Sequence, residues 1–170
     1  MGYLANTRCY LSGPIENDSG PNWRVEIKKV LTEELGVRVF DPNADPKQQF
    51  KPALDEARNN GDRETMREIA RSFVRKDLSL VDRCDFFIAN LPYGVATAGT
   101  HHEITQSNDR KKPTLLHCSK GWEWNPLWYF GFVPLDYFFG SWDGVAEYLR
   151  KVDRGECSED DRWHFVMGLI

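Results

Sequence analysis

Two carboxylic acids, Glu103 and Asp77, hold the chemical potential of this sequence. Glu103 lies in the stretch DFFIANLPYGVATAGTHHEI, residues 85–104, whose apolar run Phe86-Phe87-Ile88-Ala89 has the composition of a fully buried strand. The chain leaves that run at Asn90-Leu91-Pro92, crosses a glycine-containing loop and enters a helix through Gly99-Thr100, with Glu103 in the first helical turn. A buried strand that delivers a loop and a helix N-terminus at its carboxyl end is where open α/β sheets bind ligands. A carboxylate there, kept ionised by the helix terminus and nearby donors, is a candidate nucleophile. Asp77 falls on the apolar stripe of a separate helix, four residues after Phe73 and three before Leu80. Burying a carboxylate is costly unless it is partnered, and a carboxyl in a partly apolar site is able to donate a proton. An ionised Glu103 and a more protonated Asp77 would form the two-carboxylate arrangement that cleaves a bond at an anomeric carbon.

Each candidate has a plainer reading. Thr100-x-x-Glu103 has the spacing of a capping box, in which the Glu side chain closes back on the N-cap amide. Asp77 could hydrogen-bond the backbone of a neighbouring loop. Tyr10 could be core, although its place at the end of a strand would let its hydroxyl reach the sheet's rim. His101 and His102 are adjacent on a helix and do not face the same way; with His117 the only other nearby candidate and no Cys partner, no metal is expected. Neither GxGxxG nor GxxxxGK[ST] occurs, so a dinucleotide or P-loop site is unsupported and no cofactor is expected. Trp122, Trp124, Trp128, Tyr129 and Phe130 read as packing or a subunit contact, with a base-stacking lid as the sharper alternative.

The elements that must position these residues alternate along the chain. Thr7–Leu11 reads as a strand stopped by Ser12-Gly13-Pro14, and a helix from Asn22 carries Trp23, Ile27, Val30, Leu31 and Leu35 at helical spacing before Gly36. Val37–Phe40 is a second strand, and the polar stretch 46–61 an insertion with one short helix. Asp62–Asp82 is a long helix striped with Met66, Ile69, Ala70, Phe73, Val74, Leu80 and Val81. After the strand and helix around Glu103 come a strand at Thr114–Cys118, an aromatic insertion at 120–135, a fifth strand at Asp136–Phe139 and a helix opened by Ser141. The tail, 153–170, ends in an apolar segment that should dock. Such alternation predicts one α/β domain over residues 1–170, a doubly wound five-stranded parallel sheet covered on both faces. In it Tyr10, Ser12, Gly13, Asp41, Asn90 and Ser119 share one rim at the strands' carboxyl ends.

With 170 residues, 41% of them hydrophobic, the chain is long enough for a real core. A net charge of -4 points away from nucleic acid polymers and anionic membranes, and no apolar run approaches the ~20 residues a spanning helix needs. Cys9, Cys84, Cys118 and Cys157 stand singly and read as small residues in a reducing cytosol, so a cytoplasmic location is expected.

Taken in order, Tyr10-Leu11-Ser12-Gly13-Pro14-Ile15, Lys76-Asp77-Leu78, Asp85–Asn90 and Gly99-Thr100-His101-His102-Glu103 resemble the nucleoside 2-deoxyribosyltransferase superfamily, which includes the related nucleoside 5′-monophosphate N-glycosidases. The resemblance spans most of residues 7–118, and the late strand and Ser141-Trp142-Asp143 helix fit the same fold. It implies a flavodoxin-like, Rossmann-like sheet and cleavage of the bond between sugar C1′ and a nucleobase nitrogen. It further implies that Glu103 is the nucleophile that forms a glycosyl ester, Asp77 the acid that assists the departing base, and Tyr10 the hydroxyl that orients the nucleophile. Ser12 and Gly13 would line the sugar side, with Asp41, Asn90, Thr97, Gly99 and Thr100 as further substrate-binding candidates. The implied partners are a nucleoside or nucleotide, a free nucleobase and further copies of the chain, as a dimer or hexamer with a shared site. Two departures bear on substrate. The transferases usually carry an aspartate just before the Gly-Ser/Thr pair, where this chain reads Thr97-Ala98-Gly99; a hydroxyl there is more similar to the monophosphate hydrolases. Yet Pro14-Ile15-Glu16 stands where those hydrolases carry a phosphate-binding basic residue. Sugar transfer is the leading expectation, with monophosphate hydrolysis and a non-catalytic nucleotide-binding module as alternatives.

Overall fold

The computed structural model describes residues 2–14, 23–44, 50–156 and 161–168. Its strands are β1 (Arg8–Ser12), β2 (Arg38–Phe40), β3 (Phe86–Asn90), β4 (Thr114–His117) and β5 (Phe138–Phe139), all parallel and ordered β2-β1-β3-β4-β5. This order is the flavodoxin-like one, with a switch point where β1 lies between β2 and β3. Every residue of β3 and β4 is buried, as expected of strands covered on both faces.

The helices follow the apolar spacing with adjustments. The first, α1 (Trp23–Lys29), runs into a π turn at Val30–Glu34, closed by the Leu35 amide donating to the Val30 carbonyl at 3.2 Å; the wider turn keeps Leu31 in the core. The insertion at 46–61 contains α2 (Lys51–Asn60), which Gly61 ends in the left-handed region at φ 65°; residues 45–49 lie outside the described ones. In α3 (Arg63–Arg83), Asp62 caps the start by accepting from the Thr65 amide at 3.1 Å. Its expected stripe is covered only toward the C-terminal end: Asp77 and Val81 are buried, Met66, Ile69, Ala70 and Phe73 half-buried, and Val74 exposed.

Next comes α4 (Ala98–Asp109), then three short 3-10 turns within the aromatic insertion and before β5. Of the insertion's rings Tyr129 is buried, whereas Trp122, Trp124 and Trp128 are exposed. The Ser141 side chain caps α5 (Trp142–Asp153), accepting from the Gly144 amide at 3.1 Å. In the tail, α6 (Asp161–Met167) inserts Trp163 fully into the core, where its Nε1 donates to the Tyr148 hydroxyl at 2.8 Å and its ring lies 5.4 Å from that of Phe86. Cys9, Cys84 and Cys118 are buried free thiols, and Cys157 lies outside the described residues. No helix is long and apolar enough to cross a membrane among the described residues.

Urea unfolding should register both features at the end of the chain: Trp163→Ala is expected to lower stability by about 3–5 kcal/mol, and Ser141→Ala by about 1 kcal/mol.

Candidate active site

Side chains two apart on a strand share a face, so Tyr10 and Ser12 of β1 point together toward the helix layer that holds α4. Glu103 on α4 meets them there. The Tyr10 hydroxyl donates to Oε1 at 2.8 Å, and the Ser12 hydroxyl donates to Oε2. All three side chains are buried, and two donated hydrogen bonds favour the charged carboxylate over the acid. Burial pushes the Tyr10 hydroxyl far above its ordinary pKa of 10, and the charges of Glu103 and then Asp77 push it further. Tyr10 therefore remains a donor across the whole physiological range. Asp77, buried on α3, is thus electrostatically coupled to Tyr10.

The helix begins one turn earlier, relative to Glu103, than its sequence indicates. Thr97 is the N-cap residue of α4, no side chain caps that terminus, and Glu103 lies in the second turn. The capping-box reading of Thr100 and Glu103 is thereby overturned: the carboxylate oxygens are engaged by β1, not by the helix's own amides. Thr97 is buried and its Oγ1 has no hydrogen-bond partner among the described residues, Thr100 is buried, and the space beside the Gly99 α-carbon is open.

The remaining rim candidates gather one strand over. Gly13 follows Ser12 directly; Asn90 closes β3 and accepts, through Oδ1, from His117 Nδ1 at 2.9 Å. The register that pairs Asn90 with His117 puts the two side by side. His117 stacks on Trp142 at 3.9 Å between centroids, and Trp142 stacks on Trp23 at 4.7 Å. Asp41, just beyond β2, is turned to Arg24 (3.4 Å) and Lys28 (3.2 Å). Ser119 is exposed in the turn after β4. Sequence reasoning weighed His117 only as a metal ligand, Trp23 only as a core-facing helix residue and Trp142 only as part of the last helix, and passed over Arg24; the available signal for His117 was that it ends a strand, as Asn90 does.

The aromatic insertion reaches this centre through two contacts. The Tyr129 hydroxyl hydrogen-bonds Nδ1 of His101, two residues before Glu103 on α4. Lys120 places its ammonium 3.6 Å from the Tyr93 ring centre and 3.4 Å from that of Trp124, joining the insertion to the loop between β3 and α4.

No protein-family model and no curated protein matches this chain. Solved structures do. A 2-deoxyribosyltransferase from the psychrotolerant bacterium Bacillus psychrosaccharolyticus, a biocatalyst for the synthesis of antiviral and antitumoral nucleosides, superposes with a TM-score of 0.57 at 21% identity, covering 84% of this chain and 92% of its own. A 2-deoxyribosyltransferase from Leishmania mexicana superposes with a TM-score of 0.51 at 15% identity, covering 85% of this chain and 97% of its own. The fold is that of the 2-deoxyribosyltransferases. On this deoxyribosyltransferase fold, Tyr10, Ser12 and Glu103 converge at the switch point, where such sheets bind ligands.

Burial lowers the pKa of His117 from 6.5 to about 4, and that of His101 in the same direction. A base whose folded pKa is depressed binds its proton more readily when unfolded, so stability falls as pH falls. Urea midpoints should therefore drop between about pH 6.5 and pH 4, and a His117→Asn variant should show a shallower drop over the same window.

Proposed function

We propose that this protein cleaves the N-glycosidic bond of a (deoxy)ribonucleoside and transfers the sugar to another nucleobase. The observation that carries the reading is a buried Glu103 carboxylate accepting from both Tyr10 and Ser12 on a deoxyribosyltransferase fold. In this reading the two hydroxyls hold the plane of the carboxylate so that one oxygen faces C1′ of the sugar. As the bond from C1′ to the base nitrogen breaks, its electron pair leaves with the base and Asp77 supplies a proton to that base. The oxocarbenium-like centre is captured by Glu103 as a glycosyl ester. The second half runs in reverse. An acceptor base attacks C1′, the ester's electron pair returns to Glu103, and the acceptor's proton passes to Asp77. Thr97, Gly99 and Thr100 at the open start of α4, and Gly13 and Asn90 across from them, would border the substrate. Asp41, turned to Arg24 and Lys28, would act on the rim through those cations.

Hydrolysis would need water to intercept the same ester, so an acceptor assay separates the two outcomes. With deoxyinosine and adenine, deoxyadenosine should form; hypoxanthine released equally well without adenine would instead mark a hydrolase. Exposed Leu127, Trp128 and Leu135 on and beside the insertion support association with further copies of the chain.

Glu103→Gln is the decisive variant, because the Tyr10 and Ser12 hydroxyls are able to rotate and accept from the amide while the nucleophile is lost. Its turnover should fall about 1000-fold or more with an unchanged circular dichroism spectrum, and mass spectrometry of the wild type with a 2′-fluoro nucleoside should find a sugar-sized addition on Glu103. Ligand-induced stabilisation without turnover or adduct would leave only a binding module.

A further inference from the structure

Beside the Glu103 centre lie two side-chain hydrogen-bond donors, of Trp23 and Asn90, for which no acceptor is found among the described residues. A Cβ built on Gly13 would come 2.9 Å from Cζ2 of Trp23, 3.3 Å from Cβ of Asn90 and 3.4 Å from Nη2 of Arg24, so all three converge on this α-carbon. Cζ2 adjoins the ring carbon bonded to Nε1; the N–H edge of Trp23 is thus the edge next to Gly13. Trp23 is only 4% exposed, and its Nε1 is buried with no hydrogen-bond partner among the described residues. Native interiors rarely leave a donor in that condition. Asn90 is 7% exposed, and its Oδ1 is already taken by His117 Nδ1. Its amide N–H groups are what it has left to offer. The stack of His117 on Trp142 and Trp142 on Trp23 fixes both donors from behind. Arg24 adds no free charge: its guanidinium donates to the Gly13 carbonyl at 3.1 Å and pairs with Asp41.

We propose that Trp23 and Asn90 form a donor subsite beside Gly13 that binds a hydroxyl oxygen of the substrate's sugar, with His117 as the positioning residue that fixes the Asn90 amide. The assignment to the sugar rests on the reading of Glu103 as the group at C1′. Ser12 holds Glu103, and Gly13 is the next residue, about 3.8 Å along the chain, so an atom over Gly13 belongs to the ring being transferred. A neutral hydroxyl fits better than a phosphate because Arg24 and Lys28 are both turned to Asp41.

Transfer kinetics with deoxyinosine and adenine test this. Trp23→Phe keeps an aromatic ring on the side of Trp142 and removes the N–H together with the second ring of the indole; KM for the nucleoside should rise about 5–10-fold, with KM rather than kcat carrying the loss. His117→Phe should raise KM in the same sense while keeping the stack. The ratio of wild-type to Trp23→Phe efficiency should collapse toward one for a nucleoside lacking either the 3′- or the 5′-hydroxyl, which identifies the bound group. An unchanged KM in Trp23→Phe, the same ratio for every analogue, or a ratio that grows on 5′-monophosphates would each overturn the subsite while leaving the glycosyl reading intact. Failure of the wild type to turn over any nucleoside or monophosphate would overturn the glycosyl reading and the sugar assignment with it.

Discussion

A carboxylate buried in a protein interior has to be met by donors, and here they come from the strand at the sheet's switch point. Tyr10 and Ser12 reach the two oxygens of Glu103 only if β1 keeps its register and α4 crosses its face at one height. A slip of β1 by a single residue would send both hydroxyls to the opposite face. The pairing of β1 with β2 on one side and β3 on the other prevents such a slip. Packing of α3 and α4 over this face then brings Asp77 into the same electrostatic neighbourhood.

The two ends of β1 show how differently charge is handled. At the amino end, Arg8 binds Asp85 through a bidentate contact that includes a 2.8 Å bond, on a partly exposed surface where such pairs add little to stability. At the carboxyl end the polar groups are buried, and several remain incompletely satisfied: Thr97 Oγ1 and Trp23 Nε1 have no partner among the described residues. Unsatisfied buried groups lower stability, and leaving them beyond the carboxyl end of β1 and at the start of α4 is the arrangement expected where a protein exchanges stability for a ligand.

Sequence patterning made the fold legible because parallel strands buried on both faces leave short apolar runs, as in Phe86–Ala89 and Leu115-Leu116. Asp77 was legible for the same reason, since an acid interrupts an otherwise apolar stripe. The start of α4 was not. Ala98 and Gly99 carry no capping signal, and Thr97 caps without a side-chain bond, so the spacing of Thr100 and Glu103 imitated a motif that the packing against β1 displaces. The π turn after α1 likewise leaves no mark on residue spacing. The stack of His117, Trp142 and Trp23 was not legible because it depends on three elements distant in sequence and adjacent only once the sheet is assembled.

The hydrogen bond between Tyr129 and His101 makes the aromatic insertion and the helix that carries Glu103 one mechanical unit. The insertion is wedged at its other side by the Lys120 ammonium between Tyr93 and Trp124. Lifting the insertion away from the sheet's edge would therefore either break that latch or tilt α4, so the seating of the insertion and the position of Glu103 are geared together.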